Sequence, residues 1–122
     1  MTLLVGGAGQ GKLSWALEHT GLTMEAVSDS PCQPKPIVTG LETFLKTEKD
    51  PWPALKGLLE AYPKALLLCD EVGCGVVPVD PEERAWRERV GRCCCELAQQ
   101  ADCVLRLYCG IASVLKGEWE WN

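Results

Sequence analysis

The residues with the most chemical content lie near the start of the chain. Gly6-Gly7-Ala8-Gly9-Gln10-Gly11-Lys12 follows the apolar run Thr2-Leu3-Leu4-Val5 and precedes a helix-forming stretch. Up to its lysine it matches the pattern G-x-x-x-x-G-K-S/T, a glycine turn between strand and helix that cradles phosphate groups. Glycines let successive backbone N–H groups converge on phosphate oxygens without Cβ clashes, the helix start adds partial positive charge, and Lys12 adds a full one. The next position is Leu13, where the pattern asks for a hydroxyl that holds magnesium. Ser14 is adjacent, but one residue along a helix turns a side chain by about 100°, so it would need a shifted register to substitute. Two readings stay open, an anion-binding loop and a glycine-rich turn that binds nothing, and the order, spacing and lysine favour the first. Gly6, Gly7, Ala8, Gly9, Gln10, Gly11, Lys12, Leu13 and Ser14 form the candidate nucleotide-contacting set.

A second group closes the apolar run Leu66-Leu67-Leu68-Cys69 with Asp70-Glu71. A strand of a parallel sheet that ends in carboxylates delivers them where such sheets bind ligands. There a carboxylate can hold magnesium through water or polarise a nucleophile. Lys12, Asp70 and Glu71 are therefore the candidate catalytic residues, with Asp70 the candidate magnesium ligand. A solvated strand end is the alternative for the acidic pair.

The acidic pair continues as Glu71-Val72-Gly73-Cys74-Gly75-Val76-Val77-Pro78. This segment resembles the E-V-G-x-G-I/V-V-P stretch of the bifunctional adenosylcobinamide kinase/adenosylcobinamide-phosphate guanylyltransferases of cobalamin biosynthesis. Gly6-Gly7-Ala8 and Gly11-Lys12 are similar to that family's G-G-A-x-S-G-K-S loop. Arg84, Arg87, Gly91-Arg92 and Ala101-Asp102 fit its long helix, and Gly110-Ile111 its terminal S-G-I region. The resemblance implies a phosphate-loop fold that phosphorylates the aminopropanol hydroxyl of adenosylcobinamide and then transfers GMP from GTP through a guanylylated histidine. It also implies GTP or ATP with magnesium as cofactor.

The chain departs from that pattern at three places. Leu13 replaces the family serine, Asp70 replaces the asparagine before E-V-G, and the histidine-bearing segment between the first helix and Pro36 is shortened. The remaining His19 lies about 10 Å beyond Lys12 along the helix, near its carboxyl end, where a positive charge is tolerated. A kinase step is thereby favoured over guanylyl transfer, with activity itself left open. The alternative is a noncatalytic homologue that binds nucleotide or corrinoid. A third reading is an unrelated small phosphate-loop NTPase.

The elements that must position these groups alternate. Thr2 to Val5 reads as a strand, Lys12 to His19 as a helix closed by Gly21, and Met24 to Val27 as a brief strand. Ser28 to Pro36, with three prolines and two serines, reads as irregular. A short strand at Pro36 to Thr39 leads into short helix Leu41 to Lys46 and then helix Pro51 to Tyr62. Ala54, Leu55, Leu58, Leu59 and Tyr62 mark the buried face of that second helix. Ala65 to Cys69 reads as a strand buried on both faces. Asp80-Pro81-Glu82-Glu83 supplies an N-cap, a first-turn proline and a reciprocal capping glutamate for a helix from about Pro81 to Ala101. Its apolar stripe is Trp86, Val90, Cys93, Cys94, Leu97 and Ala101, with Cys95 on the opposite side. Cys103 to Tyr108 is a strand, and Ile111 to Leu115 a candidate further one. The order favours an α/β domain with a mostly parallel sheet flanked by helices, a three-layer phosphate-loop architecture. Residues 1–122 read as one nucleotide-binding domain.

Composition limits the partners. Twelve Lys and Arg against seventeen Asp and Glu leave a net charge of -5, which argues against nucleic acid as a partner. The longest apolar run, Ala65 to Cys69, is far short of the roughly 20 residues of a membrane span. The amino terminus lacks the features of a secretory signal, so a cytoplasmic protein is expected. Eight cysteines with no C-x-x-C spacing, three of them consecutive at Cys93-Cys94-Cys95, read as reduced thiols rather than a disulfide framework or zinc site. The expected partners are a purine nucleotide and adenosylcobinamide. A shortened sheet also predicts a homo-oligomer that covers exposed apolar surface, and Trp52, Trp119 and Trp121 read as packing the domain, with a platform for a flat ligand or a partner surface as the alternative.

Overall fold

The computed structural model describes residues 1–72 and 78–121. The expected G-C-G-V-V segment at 73–77 lies outside them. The elements run β1 (Thr2–Gly6), α1 (Lys12–Thr20), β2 (Val27–Ser28), β3 (Ile37–Val38), α2 (Leu41–Thr47), α3 (Trp52–Ala61), β4 (Leu66–Asp70), α4 (Pro81–Gln100), β5 (Cys103–Tyr108) and β6 (Ile111–Lys116).

The strands form one sheet in the order β2-β3-β4-β1-β5-β6. β1 lies parallel to both β4 and β5, with Leu3 opposite Leu67 and Val104. β2, β3 and β4 are also parallel, and among the described residues only the β5–β6 hairpin is antiparallel. The fold is thus the expected three-layer, phosphate-loop-like α/β architecture.

Alternation along the strands splits the core in two, because successive side chains point to opposite faces. Leu3, Leu67, Cys69 and Val104 meet Leu41 and Leu45 of α2, Leu55 and Leu58 of α3, and Val90, Cys93 and Leu97 of α4. Leu4, Leu66, Leu68, Leu105 and Leu107 face Trp15 and Ala16 of α1 on the other side. Trp119 and Trp121 pack against this second cluster, Trp119 edge-on to Trp15 with 5.0 Å between centroids. They pack the domain, as expected.

Three local expectations need correction. Met24 to Ala26 forms a 3-10 turn, and only Val27 and Ser28 pair as strand. Met, Glu and Ala are better helix than strand formers, and one turn satisfies them. Tyr62 is exposed, because α3 ends at Ala61 and the chain departs before Pro63. At the start of α4 the Asp80 side chain accepts from Glu82 N–H as an N-cap should. Glu83, however, points forward to Arg87 at 3.6 Å, an i,i+4 pair, instead of back to Asp80.

Candidate functional site

The glycine loop leaves the carboxyl end of the central strand. Gly6 closes β1, and a Cβ there would sit 2.6 Å from the Leu107 carbonyl oxygen, so the close approach of β1 and β5 requires glycine. Gly9 and Gly11 take φ values of 76° and 87°, the left-handed region that glycine adopts without strain. Gly11 is the N-cap of α1, and its carbonyl accepts from Trp15 N–H at 2.9 Å.

Lys12, the first residue of α1, curls back over the loop. Its Nζ donates to the carbonyls of Gly6 at 3.0 Å and Gly7 at 2.9 Å, and lies 2.6 Å from Asp70 Oδ1. One buried ammonium thus gathers the loop, the central strand and the end of β4.

Around this pair opens a hollow of about 330 Å³, at the low end of the range for small-molecule sites, about 300–1,000 Å³. The loop and α1 contribute Gly9, Gly11, Lys12, Leu13 and Ser14, and β4 contributes Leu68 and Asp70. The β3–α2 junction adds Thr39, Gly40 and Glu42. Leu13 is half-buried against the α1-side core, and Ser14 is exposed. The residue at the expected hydroxyl position therefore packs, while the neighbouring hydroxyl stands at the hollow's rim.

Glu42 was not among the residues singled out from sequence. It is 9% exposed, and its Oε1 accepts from Asp70 N–H at 3.1 Å while Oε2 accepts from Thr43 N–H at 3.3 Å. Trp86 of α4 holds the same residue from behind, its indole N–H donating to the Glu42 carbonyl at 2.7 Å. The signal that could have found it is positional. β3 lies beside β4, so the loop that follows β3 opens on the same crevice as Asp70.

Gln10 and Glu71 face elsewhere. Gln10 Oε1 accepts from Cys109 N–H at 2.6 Å, and its carbonyl from Gly110 N–H at 3.2 Å. This ties the loop to the two-residue hairpin turn, where Cys109 and Gly110 take φ values of 53° and 76°. Glu71 N–H donates to the Gly6 carbonyl at 2.9 Å. Its carboxylate accepts from Arg106 Nε at 2.9 Å and Nη2 at 3.1 Å, a bidentate pair. Gly6, Gly7, Gln10 and Glu71 thus flank the hollow, Ala8 is exposed in the loop, and the remaining expected residues line the hollow.

His19 stacks on Trp15 at 4.1 Å between ring centroids, with Nδ1 2.9 Å from the Trp15 carbonyl oxygen. It is held on its own helix, near the carboxyl end as expected. Behind Asp70, the Cys69 and Cys94 sulfurs are 3.6 Å apart and share a hydrogen bond. That bond, followed by burial, pushes the Cys69 thiol well up, and the same bond draws Cys94 down. Burial raises Cys93 to about 12.

Residues 44–115, more than half of the chain, match the family described as cobinamide kinase / cobinamide phosphate guanyltransferase. The chain belongs to this family. No curated protein matches it closely enough to count as a relative. The matched span of this cobinamide kinase/guanyltransferase family member contains Asp70, Glu71 and Arg106. The glycine loop, Lys12 and Glu42 precede it, so their part in the site rests on motif and geometry alone. Family membership connects the chain to cobalamin biosynthesis and to transferases that act with nucleotides. Among the described residues, no helix is long and apolar enough to cross a membrane.

Proposed function

We propose that the chain binds a purine nucleoside triphosphate through Gly6 to Lys12 and carries the kinase step of its family, with the hydroxyl of a cobinamide as acceptor. The observation that carries this reading is the Lys12 ammonium 2.6 Å from Asp70 at the mouth of a glycine loop on the central parallel strand. On binding, Lys12 exchanges the Gly6 and Gly7 carbonyls for phosphate oxygens. The loop N–H groups and the start of α1 supply the remaining donors.

The oxygen donors of the hollow fit magnesium, a hard cation that takes carboxylate, water and phosphate together. Asp70 would hold it, with the Glu42 carboxylate beside it and the Ser14 hydroxyl at the rim. Bound there, the ion would neutralise charge on the distal phosphates. Asp70 would also face an acceptor hydroxyl bound in the hollow, and Glu42 fixes its backbone. Glu71, paired with Arg106, braces the loop through Gly6. No step is assigned to His19, so guanylyl transfer is not part of the proposal.

Binding without turnover is the second reading, and Leu13 favours it, since the residue that should supply a hydroxyl packs against the core. In either reading residues 1–122 act as one nucleotide-binding domain. Self-association would cover Tyr108, Ile111 and Leu115, which are more than half exposed on the β5–β6 hairpin.

Calorimetric titration with GTP and ATP, with and without magnesium, tests the proposal, followed by adenosylcobinamide and an assay of phosphate transfer. Lys12→Ala is expected to weaken nucleotide binding by about tenfold or more, the loss of charge-assisted hydrogen bonds of about 1.5–3 kcal/mol. Binding with no transfer would select the second reading. A folded wild-type protein that binds neither nucleotide would defeat both.

A further inference from the structure

We propose that Cys69 and Cys94 form a reversible disulfide that couples oxidation to the shape of the phosphate pocket. The coupling rests on the nucleotide reading above; the disulfide does not.

The two sulfurs are 3.6 Å apart, the only thiol–thiol hydrogen bond among the described residues. A disulfide needs about 2.05 Å, so closure asks for about 1.5 Å of combined movement, within reach of side-chain rotation and a small shift of α4. Cys69 is fully buried at the end of β4, and Cys94 is half-buried on α4. A small oxidant therefore has a route to Cys94, and Cys69 waits behind it. Cys95 and Cys109 are exposed, and Cys103 belongs to the core on the other face.

With a peroxide as oxidant the chemistry balances. The Cys94 sulfur attacks one peroxide oxygen, an S–O bond forms, the O–O bond breaks, and the departing oxygen leaves as water with the thiol proton. The Cys69 sulfur then displaces the sulfenic oxygen, an S–S bond forms, and a second water carries away the Cys69 proton. Two thiols are oxidised and one peroxide is reduced to two waters. A dithiol reverses the step by exchange.

The consequence for the pocket follows from sequence adjacency. The residue after Cys69 is Asp70, whose N–H is held by Glu42 and whose carboxylate meets Lys12. Drawing Cys69 toward α4 moves the carboxylate that pairs with the loop lysine.

The test treats reduced protein with hydrogen peroxide, blocks free thiols by alkylation and maps the peptides. A linked Cys69–Cys94 peptide, lost on adding dithiothreitol, is expected. Cys94→Ser should abolish it and Cys95→Ser should leave it. Because Cys94 is only half-buried, the test survives if Cys69→Ser fails to fold. If Cys69 and Cys94 both remain alkylatable after unfolding while exposed thiols oxidise, the pair is overturned. Nucleotide affinity of the oxidised form, by calorimetry, is expected to fall several-fold. Equal affinities overturn the coupling and leave the disulfide standing. If the reduced protein binds no nucleotide, the nucleotide reading and the coupling fail together, and the peptide map still decides the pair.

Discussion

The two faces of the sheet are covered by different means. On one, the apolar stripes of α2, α3 and α4 overlap above Leu3, Leu67, Cys69 and Val104. On the other, the nine-residue α1 stands alone, and Trp119 and Trp121 complete the cover, stacked on one another with Trp119 set against Trp15. A short helix cannot shade six strands, so large aromatic side chains supply area that further helices supply opposite. The site lies on the seam. Lys12 comes from the thinly covered face and Glu42 from the thickly covered one, and they meet around Asp70 at the end of β4.

If the thick face is the structural anchor, a cavity there should cost most. Leu97 is fully buried in α4, and Leu97→Ala is expected to lower stability by about 2–5 kcal/mol in urea unfolding. Trp119 is half-buried, and Trp119→Ala should cost less, about 2 kcal/mol, since part of its surface is already in water. It should also change the fluorescence of Trp15, its edge-on neighbour. A Trp119→Ala protein less stable than Leu97→Ala would reverse the comparison and make the aromatic cover the anchor.

Much of this arrangement is legible in the sequence, and what is not has a physical reason. Leu66 to Cys69 reads as a doubly covered strand because it is continuously apolar, and both faces are indeed buried. The glycine loop is legible because Gly9, Gly11 and Lys12 have local tasks, the two glycines turning the chain at positive φ and the lysine reaching back to the Gly6 and Gly7 carbonyls. Strand order is not local, and with it goes Glu42. Read along the chain, Glu42 is an ordinary acidic residue in the first turn of a helix, where the dipole favours it. Only the pairing of β3 with β4 brings it to Asp70. The same holds for Glu71 and Arg106, thirty-five residues apart, joined because β5 lies next to β1. Tyr62 fails for the opposite reason, since the helical period carries on in the sequence past the point where the helix stops.

Glu42→Gln asks how much the thick face contributes to the site. The variant keeps a side chain of the same shape and one acceptor oxygen, but its amide nitrogen cannot accept, so it loses one of the two bonds from Asp70 and Thr43 N–H and the charge that strengthens the other. A stability loss of about 1 kcal/mol is expected, read by thermal unfolding. Nucleotide affinity should weaken in magnesium more than in its absence, because one of the two carboxylates of the hollow is gone. If affinity is unchanged in both conditions, Glu42 holds β4 in place and does nothing more.

Lys116 joins the two regions at the sheet edge and carries the smallest expected effect. It lies on β6, and its Nζ donates to the carbonyls of Ala98 at 3.0 Å and Gln99 at 2.9 Å. Those carbonyls are in the last turn of α4, where the helix has no donors of its own and its dipole is negative. A lysine supplied by a strand thus does the work of the basic residue that the last turn of α4 lacks. Lys116→Ala should cost about 0.3–1 kcal/mol at low ionic strength, and less in high salt because the group is exposed. A loss that persists undiminished in high salt would mean that the contact acts by packing β6 against α4 and not by charge. The exposed hairpin would then be part of the thick cover, not an appendage beside it.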